Sequence, residues 1–416
     1  MRKGTRVESD GPEQFVEDPL TEVLRNGARG LIAGAVQAEV AAYLARYADV
    51  RDEAGRQMVV RNGYHRERTI QTGVGSVPVK APRVRDRRAP EERVEFSSAL
   101  LPRYLRRTKT MEAMIPWLYL KGISTGDFGA ALGALLGKGA PGLSASTIVR
   151  LKEQWQGDYE AWCRRDLSGQ RYLYVWADGV YPGARLESSG PCLLVLIGTK
   201  PDGSKELLTV EDGYRESEQS WKELLLDLMR RGLTLPPKLA VGDGALGFWQ
   251  ALRQVYPETK AQRCWVHKTA NVLNRFPKGV QAKAKAALHD IWMAETKANA
   301  EKAFKAFVET YGSKYPKAVE NLEKDRDELL AFYDFPAEHW QHIRTTNVIE
   351  STFATVRLRT AKTQGCLSRA TALTMVFQLC RCAEKSWRKL NGTQRCAEVI
   401  QGIKFVNGIR EERMAA

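Results

Sequence analysis

Between Tyr172 and His267, apolar runs of strand length alternate with amphipathic helical stretches in a fixed order, and this order constrains the fold more than any other feature of the chain. YLYVWAD reads as a strand that ends in an acid. CLLVLIGTK and KELLTVED form a pair joined by Pro201-Asp202-Gly203-Ser204, a hairpin turn. SEQSWKELLLDLMRRG is an amphipathic helix closed by Gly232. KLAVGDG is another strand that ends in an acid, and a helix from Leu246 to Val255 and the short run KAQRCWVH follow it. The predicted fold class is therefore α/β.

Strand, hairpin, helix, strand, helix, strand is the order of a ribonuclease-H-like core, although other mixed α/β sheets begin the same way. The flanks of this core read differently. A helix is expected from about Asp18 to Tyr47, with Asp18 as N-cap, Pro19 at its first position and a glycine-rich middle at Gly27, Gly30 and Gly34. RTIQTGVGSVPVKAPRVR then carries short β-type runs around Gly73 and Gly75, with Pro78 and Pro82 confining the second to an edge. Its end is lined by Arg83, Arg85, Arg87 and Arg88, an arm suited to phosphate contact. Three helices are expected over 107–156, after Thr110, Ser124 and Ser144. They would form a compact unit that could be a helix-turn-helix presenting Ser146, Thr147 and Arg150 to a groove. Between about Thr269 and Trp340 the composition turns to Ala, Lys and Glu, which predicts an all-α insertion. The expected organisation is an N-terminal helix and basic β-hairpin arm (1–105) and a helical DNA-binding region (106–168). The first part of the core (169–268), the insertion (269–342), and a core helix with a basic tail (343–416) follow.

Composition narrows the partners. The chain has 416 residues and a net charge of +15, and the excess is uneven. Arg51 to Lys109 holds 15 Lys and Arg against 7 Asp and Glu, and Arg344 to Lys389 holds 9 against 2, which leaves the rest close to neutral. Two basic regions of that strength form an electrostatic footprint for a polyanion, with nucleic acid the first choice. A soluble basic surface gives the same count. The seven cysteines are odd in number and scattered, unlike a secreted disulfide framework, and no run approaches the roughly 18 apolar residues of a membrane span. The basic start lacks the apolar stretch of a signal peptide. The expected setting is cytoplasmic and nucleoid-associated.

Three acids stand in telling places: Asp178 after the first core strand, Asp243 after a later one, and Glu350 in the first turn of the helix that follows the insertion. An acid just past the C-terminal end of a central strand lies at the mouth of an open sheet, where ligands bind. Carboxylates gathered there repel one another unless cations sit among them, and two Mg²⁺ ions would suit an in-line phosphoryl transfer. Taken singly, each strand-end Asp-Gly pair also reads as a turn.

In ADGVY, VGDGA and TTNVIEST, these acids resemble the Asp-Asp-Glu triad of the Mutator-like transposases of bacterial insertion sequences, with similar spacings of 65 and 107 residues. The likeness also covers RNGYHRERT and PRVRD before the core, GYRESEQSW within it, QRCWVH after the second acid, and the basic tail. The resemblance implies a ribonuclease-H-like catalytic core and metal-dependent cleavage and strand transfer at terminal inverted repeats. Asp178, Asp243 and Glu350 would be catalytic residues and ligands of two Mg²⁺ ions, with Mn²⁺ as a substitute. It also implies double-stranded transposon ends and target DNA as partners, no membrane, and a homo-oligomer, a dimer or larger. Alternatives are a catalytically silent repressor descended from a transposase and a nuclease without strand transfer.

Other residues support or qualify this reading. Arg357 lies two helical turns after Glu350 on the same face, where with Arg359 it could grip the DNA backbone. Arg83, Arg85 and Arg150 are the expected contacts elsewhere. Cys264 and His267 invite a zinc reading, but no second ligand pair lies nearby in sequence, so a structural zinc site is not expected; the resemblance implies that the family's Cys-x-x-His signature is a core element supporting the active site. Thr269 and Ala270 stand where many members carry a basic residue. Glu216 and Ser217 read as a helix cap with its adjoining acids, with catalysis the alternative, and Trp292 and Trp340 as aromatic core, with stacking on an unpaired base the alternative.

Overall fold

The computed structural model describes residues 19–120, 145–181, 192–213, 215–244, 246–362 and 369–411. The chain divides into two compact units, Met1–Leu151 and Lys152–Ala416. In the first, helix α1 (Pro19–Ala45) runs through Gly27, Gly30 and Gly34 without a break, because those glycines lie on an open face where a Cβ would meet nothing within 4 Å. Its other face places Val36, with Ala28 and Ile32, against Ile70, Val77, Val79 and Leu101.

The arm is two antiparallel pairs. Strand β1 (Val59–Tyr64) pairs with β4 (Pro82–Asp86), and β2 (Arg68–Thr72) pairs with β3 (Gly75–Val79). Two-stranded sheets consist of edges only, so Pro78 and Pro82, which lack an N–H, interrupt no interior ladder. Arg83, Arg85 and Arg87 alternate with less exposed residues and are themselves exposed. Arg88 departs from the expectation that it joins them. It grips Asp86 at 2.6 Å, and Asp86 also accepts the Val94 N–H at 2.9 Å. Hydrogen bonds from Arg88 outweigh burial and hold the Asp86 carboxyl well below its usual range. Helix α2 (Lys109–Leu120) buries Met111 and Leu118. Gly122, Ser124, Gly142 and Ser144 lie outside the described residues, as do the side chains of Ser146 and Thr147. Helix α3 (Ala145–Cys163) presents Arg150 to solvent and contains the division between the two units.

The second unit is built on a five-stranded mixed sheet of β5 (Tyr174–Val180), β6 (Cys192–Thr199), β7 (Lys205–Gly213), β8 (Leu239–Gly242) and β9 (Lys260–Arg263). Their spatial order is β7-β6-β5-β8-β9, antiparallel from β7 through β5 and parallel from β5 through β9. The parallel strands need crossovers, which helices α4 (Glu218–Arg230) and α5 (Leu246–Val255) supply. Trp221, Leu224, Leu225 and Leu228 of α4 and Phe248, Trp249 and Leu252 of α5 form one buried cluster with Val175, Ala177, Leu194 and Leu196. Trp221, with its ring 4.9 Å from Phe248, is fully buried, so Trp221→Ala would cost about 3–5 kcal/mol. The alternate residues of β5 turn to the opposite face. There the Tyr174 hydroxyl meets His339 Nδ1 at 2.7 Å and the Trp176 indole donates to the His342 carbonyl at 3.1 Å. Burial on both faces explains why β5 and β6 are nearly continuous apolar runs.

The run KAQRCWVH is a strand only as far as Arg263; Cys264 is the N-cap of helix α6 (Trp265–Leu273). Helices α7 (Lys278–Trp292), α8 (Lys297–Tyr311) and α9 (Pro316–Glu323) follow, and Phe276, Phe307, Tyr311 and Tyr315 pack ring against ring. Trp340 lies edge-on to Phe332 and Tyr333 and donates to the Phe335 carbonyl at 2.8 Å, an aromatic core as the sequence favoured. Trp292 carries the Arg344 guanidinium over its ring. Helices α10 (Asn347–Lys362) and α11 (Arg369–Glu384) complete the unit, and α11 buries Met375, Val376 and Cys380. Among the described residues no helix is long and apolar enough to cross a membrane.

Candidate active site

Asp178 lies inside β5 rather than beyond it, which corrects the sequence reading. The parallel register with β8 ends at the pair Ala177 and Gly242, while the antiparallel pairing with β6 continues through Asp178, Gly179 and Val180. Asp178 is thus the first residue past the parallel pairing, and its Oδ1 accepts the Gly179 N–H at 2.9 Å. Asp243 directly follows β8, as expected. Its carbonyl is held by the Arg263 guanidinium at 2.8 Å and the Trp249 indole at 2.9 Å, which fixes the strand end that carries the acid. Burial and the negative charge of Asp243 push the Asp178 carboxyl up to about 7 from an ordinary 3.8; Glu216 adds to this and His267 opposes it.

Glu350 reaches the same neighbourhood through Cys264. The Cys264 N–H donates to the Gly242 carbonyl at 2.8 Å and so extends the β8–β9 ladder to the residue before Asp243. The Cys264 sulfur then accepts the Thr346 N–H at 3.3 Å. Thr346 immediately precedes α10, and its hydroxyl lies 3.0 Å from Glu350 Oε1 and 3.4 Å from His267 Nδ1. His267 Nε2 faces Glu350 Oε1 at 3.6 Å. The Cys-x-x-His signature thus docks the start of the Glu350 helix onto the end of the strand that precedes Asp243, a contact between residues 82 positions apart. Burial raises the Cys264 thiol, but hydrogen bonds from His267 and Thr346 win and lower it. The bond to Cys264, with the charges of Asp178 and Glu350 behind it, raises His267 to about 9 against the opposing effect of burial.

Among the described residues, the group of three metal-ligating side chains with donor atoms within 4.8 Å of one another is Cys264, His267 and Glu350. Asp178 and Asp243 do not join Glu350 in a group that tight. The sequence also undervalued Glu216. Ser217 is the N-cap of α4, its hydroxyl accepting the Ser220 N–H at 3.2 Å, as expected. Glu216, however, is raised by burial and then by the charge of Asp243, and its carboxylate lies against Gly179. The only local signal was its place one residue before a cap. Arg357 is exposed on α10, and the Arg359 side chain lies outside the described residues.

Comparison with known proteins gives the family. The family described as "Transposase, Mutator family" matches residues 7–389. The transposase for insertion sequence element IST2 of Acidithiobacillus ferrooxidans is 54% identical over 286 residues, 67% of this chain and 94% of that protein. The transposase for IS6120 of Mycolicibacterium smegmatis is 52% identical over 303 residues, 73% of this chain and 93% of the relative. The transposase for IS905 of Lactococcus lactis is 31% identical over 346 residues, 82% and 84% of the two chains. With the match spanning nearly the whole sequence and these relatives all transposases of insertion sequence elements, the chain belongs to the Mutator family of transposases.

Proposed function

We propose that this transposase is of the Asp-Asp-Glu type, with Asp178, Asp243 and Glu350 as its catalytic carboxylates in a ribonuclease-H-like core interrupted by an all-α insertion at 269–342. The observation that carries the reading is the meeting, at the end of the parallel pairing of β5 with β8, of Asp178 and Asp243 with the Cys264–His267–Thr346 link to Glu350. The donor set fits a hard divalent cation. Carboxylate oxygens suit Mg²⁺ or Mn²⁺. Burial and the negative charge of Asp243 push Asp178 up to about 7, and a cation held by Asp178 and Asp243 would relieve the second of these.

When bound, a pair of such ions supplies activation of water or a 3′-hydroxyl and stabilisation of the leaving oxygen. The protein's own groups do the rest. Asp178, inside β5 just past its pairing with β8, and Asp243, directly after β8, hold and orient from fixed positions on the sheet. Thr346 and His267 set the Glu350 carboxylate, and His267, cationic at neutral pH, places positive charge where a phosphate oxygen gains it. Arg357 and Arg359 grip the backbone nearby, and Arg83, Arg85 and Arg150 bind transposon ends and target. Water attacks at the transposon end to free a 3′-hydroxyl, which then attacks target DNA. Because two ends are handled together, the acting form is a homodimer or larger.

The direct test is Asp178→Asn with radiolabelled terminal repeats. End binding should persist while cleavage and strand transfer fall by about a hundred- to a thousandfold, the loss expected when an essential charge-stabilising group is removed. Retained cleavage would overturn the assignment. A strand-transfer assay on the unaltered chain separates this reading from a nuclease that cuts without joining.

A further inference from the structure

Glu216 precedes a well-formed helix cap, yet nothing in the cap uses its side chain. The α4 N-cap is made by Ser217, and the Glu216 carboxylate turns instead to the end of β5, where the Tyr181 hydroxyl donates to its Oε1 at 3.1 Å. Two glycines permit this position. A Cβ on Gly179, the residue after Asp178, would stand 2.7 Å from Glu216 Cδ and 2.8 Å from its Cγ. A Cβ on Gly247, in the first turn of the helix that follows Asp243, would stand 2.6 Å from the Glu218 nitrogen and 2.7 Å from the Ser217 carbonyl carbon. The Glu216 segment is therefore wedged between the two elements that present Asp178 and Asp243, at separations that any side chain at either glycine would destroy. Helix capping explains neither close approach.

We infer that Glu216 is a fourth carboxylate of the catalytic site, which completes the oxygen shell of the divalent cation held between Asp178 and Asp243. The inference rests on the proposed function of those two acids and adds a ligand that the three-acid motif does not contain. It gives Gly179 and Gly247 a shared purpose: each removes the side chain that would push Glu216 away from a strand-end aspartate. It also gives Tyr181 a role, to fix one carboxylate oxygen so that the group meets a cation in a set orientation.

The test uses Mn²⁺ alone as the probe, with the full chain in the absence of DNA, and reads affinity by electron paramagnetic resonance. Glu216→Gln keeps the size of the side chain and an oxygen for Tyr181, and it should weaken Mn²⁺ binding about tenfold or more, as should Asp178→Asn. Gly179→Ala, which leaves every carboxylate in the chain, should reproduce the loss by displacing Glu216. This second variant keeps the inference testable if Glu216→Gln folds poorly. A purely structural role would lower the melting temperature and leave Mn²⁺ affinity unchanged. If Asp178→Asn loses Mn²⁺ while Glu216→Gln or Gly179→Ala binds it as the parent does, this inference is overturned and the three-acid reading stands. If Asp178→Asn also binds as the parent does, both fall.

Discussion

The two units of this transposase use charge in opposite ways. In the first, the arginines of β4 are displayed: Arg83, Arg85 and Arg87 are exposed on alternate positions, and none makes an ion pair among the described residues. In the second, several basic residues that look equally available in the sequence are paired or packed within the unit, although Arg357 is exposed. Arg344 donates to the Trp292 carbonyl at 2.5 Å and the Trp340 carbonyl at 3.2 Å, with its guanidinium over Trp292 and Phe332. Arg369 binds Asp212 at 2.7 Å, and Lys389 binds Asp202 at 3.2 Å. Equal net charge in two stretches of sequence therefore does not mean equal capacity for DNA. Among the described arginines of the arm only Arg88 finds a carboxylate to enclose it, whereas the packed sheet-and-helix unit offers Arg344 carbonyls and rings that draw it in.

Several measurements would sharpen or break this contrast. Among the basic residues the largest effect on stability is expected at Arg344, whose guanidinium closes the C-terminal end of α7. Arg344→Ala should cost about 2–4 kcal/mol in urea unfolding, because the Trp292 carbonyl at a helix end and the Trp340 carbonyl lose a charged donor and two rings lose a cation. An unchanged midpoint would place Arg344 with the displayed arginines.

The buried acid site should make the chain sensitive to pH when divalent cations are chelated. Asp178 titrates at about 7 in the folded chain against 3.8, so its contribution is present below pH 4 and lost as pH rises through 7. His267, raised to about 9 from 6.5, contributes fully below pH 6.5 and loses that contribution as pH rises through 9. Both signs agree. The free energy of unfolding in chelator should fall between about pH 4 and 9, by an amount on the order of a few kcal/mol. Asp178→Asn should flatten the lower half of the profile, and Mg²⁺ at pH 8 should restore stability to the parent but not to that variant. A profile that rises over this range would contradict the arrangement of charges.

For the arm, Arg83→Ala combined with Arg85→Ala should leave thermal unfolding unchanged. It should weaken binding of transposon ends and lower the slope of log affinity against log salt by about 1.8, roughly 0.9 for each phosphate no longer neutralised. An unchanged slope would show that these side chains do not touch DNA. The smallest effect belongs to Arg369→Ala. Its pair with Asp212 is partly exposed, at 42% and 31%, so the cost should be below about 1 kcal/mol, and the salt slope should not move.

Much of the second unit was legible in advance because its signals are local. β5, β6, β7 and β8 lie where the apolar runs predicted, Ser217 caps α4, and the turn at residues 201–204 joins β6 to β7. Asp243 and Glu350 stand at the strand end and in the first helical turn where the pattern put them. Asp178 was placed one step too far out, because the period of a strand does not reveal on which side its pairing stops first. The run after β9 misled in a similar way: the strand stops at Arg263 and Cys264 starts a helix, its sulfur meeting Thr346, 82 residues on.

By itself, then, the sequence determined the order of strands and helices, the family, and which acids stand at the ends of elements, since hydrophobic period, turn residues and caps act over a few neighbouring positions. Only the tertiary structure decided which charges meet. It set Glu216 against Gly179, tied Cys264 to the helix of Glu350, and drew Arg344 inward while leaving Arg83 and Arg85 outside. The physical reason is the same in each case. Burial gives a charged group its partner or withholds it, and burial depends on how distant elements pack rather than on the residues beside the group in the chain.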